Sequence, residues 1–108
     1  MTQSSYFNYG EKIIVHIESD LKELIPGYLK NRYKDIESIS EALEQDDYES
    51  IRLLGHSMKG SGGGYGFNVI TDIGRSLEQA AKDKDADEIR KWVNELSVYL
   101  ELIEIVYE

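Results

Sequence analysis

One histidine of this chain stands among glycines. Gly55 to Phe67 reads GHSMKGSGGGYGF and holds six of the nine glycines and one of the two histidines. A neutral imidazole is a nucleophile at neutral pH, where a serine needs a base. On a helix, Lys59 falls about 60° to one side of His56, Gly60 about 40° to the other, Gly63 about 20° away and Gly64 about 80° away. Leu54, Met58 and Tyr65 fall roughly opposite, at about 160–200°. His56 is therefore expected to face water across a surface nearly bare of side chains, with Lys59 at its edge. Five helical glycines from Gly60 to Gly66 would cost roughly 4–5 kcal/mol. A domain's whole stability is only about 5–15 kcal/mol. Either the stretch is a loop between helices, or another molecule has to come very close to His56.

Other chemistries fit poorly. The glycines miss the G-x-G-x-x-G spacing of dinucleotide loops, and the chain has Lys59-Gly60 where a P-loop needs Gly-Lys. Ser57 and Ser61 lie on an expected helix, not on a strand–turn–helix elbow. No Glu-x-x-His pair offers a di-iron site. The absence of cysteine excludes a thiol nucleophile, a disulfide framework and a thiolate zinc site. His16, in KIIVHIE, has no motif around it and reads as structural or merely exposed.

The elements expected to position His56 are helical. Lys12 to Ile17 is short, apolar and extended in character, and Asp20 to Ile25 suits a helical turn. The first long helix begins near Pro26 and presents Leu29, Tyr33, Ile36, Ile39 and Leu43. The second is capped by Asp46 with Glu49 three residues on, and buries Ile51, Leu54, Met58 and Tyr65. The third is capped by Asn68 and carries Val69 or Ile70, Ile73, Leu77 and Ala80. The fourth is capped by Asp85 and shows Ile89, Trp92 or Val93, Leu96, Tyr99 or Leu100, Ile103 and Val106. Short connections make neighbouring helices antiparallel. The expected fold is all-α: one domain over residues 1–108, an up-down-up-down four-helix bundle with a short N-terminal extended or helical segment. Residues 1–10 are expected to be loosely ordered.

The chain has 12 basic and 21 acidic residues, for a net charge of −9. Such a surface repels nucleic-acid backbones and anionic membranes, so neither is an expected partner. No apolar run approaches the roughly 20 residues of a membrane span, and no secretory signal is visible, so a cytoplasmic protein is expected.

The string His56-Ser57-Met58-Lys59-Gly60-Ser61, with Gly66 ten residues after the histidine, resembles the histidine-containing phosphotransfer domain. That family's pattern is H-x-x-K-G-S/T followed by small residues and a glycine. The likeness covers the whole chain in architecture and about residues 53–67 in motif. It implies a phosphorelay carrier and not an enzyme. His56 would take a phosphoryl group from a receiver phospho-aspartate, or from a hybrid or sensor histidine kinase, and pass it to another receiver. Lys59 would offset phosphoryl charge. Gly60, Gly63 and Gly64, with Arg52, Glu49 and Asn68 around them, would form the receiver-docking surface. No cofactor or metal is implied, because the receiver brings the Mg²⁺, and a monomer is expected. Relatives commonly hydrogen-bond this histidine with a polar side chain, which Gly64 lacks. The run Gly62-Gly63-Gly64 leaves open whether the helix continues beyond Gly60. The alternative is a bundle that docks on a receiver or kinase without being phosphorylated.

Overall fold

The computed structural model describes residues 11–108. The expectation of loose order for residues 1–10 lies outside the described residues. The order is β1 (Ile13–Ile17), a 3₁₀ turn (Ser19–Leu21), α1 (Ile25–Glu44), α2 (Tyr48–Ser61), a second 3₁₀ turn (Gly63–Tyr65), α3 (Asn68–Lys82), α4 (Ala86–Leu102) and β2 (Ile103–Tyr107). The four helices form a bundle around Ile39, Ile51, Met58, Ile73, Leu77 and Leu96, each at most 1% exposed.

Capping follows the expectation at α4, where the Asp85 carboxylate accepts the Glu88 N–H at 3.1 Å. It differs by one residue at α2. Asp47 is the cap, accepting from Ser50 N at 3.1 Å and from Ser50 Oγ at 2.6 Å. Asp46 instead takes the left-handed turn at φ 56°. Asn68 is the first residue of α3 and not its cap; that position belongs to Phe67, whose buried ring makes no side-chain capping bond. Tyr33, expected inside, is exposed.

The all-α expectation needs a correction. The extended N-terminal piece is a strand, and it pairs in parallel with β2 in a two-stranded sheet. The fourth helix stops at Leu102, with Ile103 at φ −71°, ψ 143°. Ile13, Val15 and Ile17 align with Ile103, Ile105 and Tyr107. These six pack on the core, while Ile14 and Val106 point to solvent. A lone two-stranded sheet is marginal in water, so this one depends on the apolar face it lends to the bundle.

The closest helix pair is α2 with α3. Along it, Gly55 lies by Glu78 and Gly74, Gly74 by Met58 and Lys59, and Gly62 by Thr71. The partners run in opposite order, so these two helices are antiparallel. A Cβ on Gly55 would sit 2.7 Å from the Glu78 nitrogen, and one on Gly74 would sit 2.8 Å from the Gly55 oxygen. Both obstacles are backbone and cannot swing aside. A Cβ on Gly60 would meet nothing within 4 Å.

Substitution of these glycines should therefore have opposite signs. Gly74→Ala is expected to lose about 2–3 kcal/mol by forcing the helices apart. Gly60→Ala is expected to gain about 0.5–1 kcal/mol by stiffening the unfolded chain and favouring helix. Urea unfolding of both variants checks this, and a stable Gly74→Ala protein would contradict the close-approach account.

Candidate functional site

The glycine stretch is two structures, not one. α2 runs to Ser61, and the Gly62 N–H still bonds the Met58 carbonyl at 3.0 Å. A 3₁₀ turn follows, ending at Gly66 with φ 95°. A side chain is strained there, and a Cβ would press on Ile17 Cγ1 of β1 at 3.3 Å. Thr71 ties the turn to α3: its hydroxyl accepts the Gly63 N–H at 2.8 Å and donates to the Lys59 carbonyl at 3.2 Å. Tyr65, expected opposite His56 on a continuous helix, lies in the turn but still packs against the core. Its ring stacks on Tyr28 of α1, with centroids 4.3 Å apart. The Tyr28 hydroxyl shares a 2.8 Å hydrogen bond with Ser61 Oγ.

His56 lies on α2, and its side chain is 63% exposed. It does not stand free. Its Nδ1 is 3.1 Å from Glu78 Oε2 on α3. The Glu78 side chain is only 9% exposed, and its other oxygen accepts from Lys59 Nζ at 2.8 Å. Lys82, one turn on, stands 4.0 Å from Oε2. The hydrogen bond from Lys59 holds the Glu78 carboxyl below its ordinary 4.5, the bond from His56 adds to this, and desolvation opposes it. An ionised carboxylate can only accept, so Nδ1 carries the proton and donates. That tautomer leaves the lone pair on Nε2. The site thus presents a nucleophilic nitrogen on an exposed ring whose other nitrogen is held from beneath.

The expected site residues fall as follows. Lys59 is joined to His56 through Glu78 and is itself about one-third exposed. Gly60 and Gly64 are open, with nothing within 4 Å of a built Cβ. Gly63 is exposed, and a Cβ there would touch Asn68 Oδ1 at 3.4 Å. Arg52 and Glu49 are paired with each other at 2.6 Å, N-terminal to His56 on α2. His16 lies on the outer side of the sheet, bonded to Glu108 at 2.7 Å. The bare-face explanation thus applies to Gly60 and Gly64, while Gly55, Gly62 and Gly66 serve packing and turn geometry. Glu78 was not anticipated. The signal was present in α3, where Thr71, Gly74, Glu78 and Ala81 share one face by three- and four-residue spacing. A carboxylate in a stripe of small residues needs a partner across the interface.

A family model described as the Hpt domain matches residues 27–104. The chain belongs to this family, whose members carry phosphoryl groups in two-component signalling and interact there with receiver domains and histidine kinases. No curated protein and no solved structure shows significant similarity to the chain. No described helix is long and apolar enough to cross a membrane.

The lowered Glu78 value has a consequence for stability. A carboxyl whose folded value lies below its unfolded one stabilises the fold above the unfolded value, and that contribution disappears as pH falls through the folded value. Glu78→Gln should therefore be less stable than wild type at neutral pH. The difference should shrink once pH drops below 4.5, the ordinary carboxyl value. Denaturant unfolding across this range measures it, and a pH-independent difference would count against the ion pairs as its source.

Proposed function

We propose that His56 is the phosphoryl-carrying residue of a phosphorelay intermediate. The observation that supports this most is the exposed His56 ring with its Nδ1 held by Glu78. Nε2 attacks the phosphorus of a receiver phospho-aspartate, or of a kinase phosphohistidine, and the donor leaves with the electron pair of the broken bond. A second receiver aspartate then takes the phosphoryl group by the reverse displacement. Transfer of this kind rests on positioning and charge stabilisation. Lys59 supplies part of that charge, moving between Glu78 and the phosphoryl oxygens. Its loss weakens transfer without abolishing it.

Gly60, Gly63 and Gly64 form the low ground on which a receiver settles, with Asn68 at one border and the Arg52–Glu49 pair at another. The Mg²⁺ and the acidic pocket that holds it belong to the receiver, so the chain works as a carrier with no cofactor of its own. In this reading the chain is a monomeric, cytoplasmic carrier.

The test is labelling with a small phosphoramidate and with phosphorylated receivers plus Mg²⁺, read by intact mass. Wild type should gain one acid-labile phosphoryl group and His56→Gln none. Receiver binding without label would favour the docking-only alternative. Gly60→Leu should keep labelling by the small donor yet slow transfer from receivers by about tenfold or more, a loss of about 1.4 kcal/mol or more in the transition state. Equal slowing with both donors would place Gly60 outside the docking surface.

A further inference from the structure

The residue beneath His56 is a carboxylate, and its charge has a chemical consequence that orientation alone does not. When Nε2 of a ring protonated at Nδ1 attacks phosphorus, the N–P bond forms, the donor's bond to phosphorus breaks with its electron pair going to the donor, and the ring becomes a cation with its proton still on Nδ1. Two fates follow. If the proton leaves, the phosphorylated ring is neutral, and breaking the N–P bond must expel an imidazolate anion, a poor leaving group. If the proton stays, the same cleavage returns the electron pair to Nε2 and releases a neutral imidazole. The protonation of Nδ1 therefore decides whether the phosphoryl group is stored or passed on.

We infer that the Glu78 carboxylate keeps the proton on Nδ1 of phospho-His56, making Glu78 a positioning residue that holds the carrier in its transfer-ready form. This rests on the carrier reading given above and deepens it. Three observations carry it. Glu78 Oε2 is 3.1 Å from Nδ1, close enough to bond a ring proton. The carboxylate is nearly buried, so water competes weakly for that bond. Lys59 holds the other oxygen of Glu78 at 2.8 Å, so the group beneath the ring is a carboxylate and accepts a hydrogen bond from Nδ1.

The surrounding charges define the balance. Lys59 and Arg52 of α2 and Lys82 of α3 are cations that disfavour another positive charge, but Lys59 and Lys82 are engaged with Glu78 itself and Arg52 with Glu49. Among the described residues, the ion pairs of His56 and Glu78 come from α2 and α3 alone. If Lys59 turns toward the phosphoryl oxygens, Lys82 remains beside Glu78 and keeps the carboxyl ionised. No proton has to be taken up or released in either transfer step, since the one on Nδ1 stays throughout.

Decay of the phosphorylated protein tests this. Wild type, Glu78→Gln and Glu78→Ala are labelled with the small phosphoramidate, and loss of the phosphoryl group is followed by intact mass across a range of pH. Glutamine keeps a hydrogen-bond acceptor of the same shape and removes only the charge. The pH above which phospho-His56 becomes long-lived should fall by at least about one unit in Glu78→Gln, giving about a tenfold longer lifetime in mildly alkaline buffer. Glu78→Ala should move at least as far. Superimposable profiles for wild type and Glu78→Gln would overturn the inference while leaving the carrier reading intact. Absence of label on wild type would remove the carrier reading and this one with it. A second measurement needs no variant: in ¹⁵N spectra of phosphorylated wild type, the Nδ1–H signal of His56 should persist in mildly alkaline buffer. A deprotonated Nδ1 there would also overturn it.

Discussion

The close approach of α2 and α3 is the constraint on which the site depends. Gly55 and Gly74 let the two backbones come near enough that no Cβ fits between them. A side chain rooted on α3 can then reach a ring rooted on α2 without a long or mobile stem. Glu78 does so, lying almost covered while the ring above it stays largely exposed. Apolar burial in the core supplies the general stability. The missing Cβ atoms decide where one carboxylate ends up.

That carboxylate is tolerated because of what surrounds it. A buried carboxylate without partners is strongly disfavoured. Glu78 has Lys59 and the His56 ring in direct contact and Lys82 nearby. Around this group the protein, acidic overall, gathers Lys59 and Lys82 close to the exposed His56 ring. A local cationic setting inside a net negative charge suits an acceptor of an anionic group and disfavours nonspecific polyanions at the rest of the surface.

Much of this arrangement was legible in the sequence, for physical reasons that differ by element. The helical stripes of α1, α2 and α3 carry long three- and four-residue periodicity, and the outward direction of His56 follows from it. The end of α4 was not legible. Leu100, Ile103 and Val106 continue a helical spacing, while Ile103, Ile105 and Tyr107 also satisfy a two-residue period. The choice between them is made by β1, a partner from the other end of the chain. Glu78 escaped notice because its significance lies in what faces it across an interface, and single-helix periodicity contains no such pairing. The glycines form one run in the sequence but answer three demands: helix contact at Gly55, a left-handed turn at Gly66 and open space at Gly60 and Gly64.

The parallel strand pair gives the molecule an order of assembly. Helical turns and the α2–α3 contacts join residues close in sequence and can form early. The pairing of β1 with β2 joins residues near the two ends and bears the larger loop-closure entropy, so it belongs late in folding and is exposed to early fraying. Ile17 of β1 lies against Gly66, at the end of the turn that follows the His56 helix. Fraying of the strand pair would thus first loosen the packing of Ile17 on Gly66, so the sheet also braces the turn beside the His56 helix.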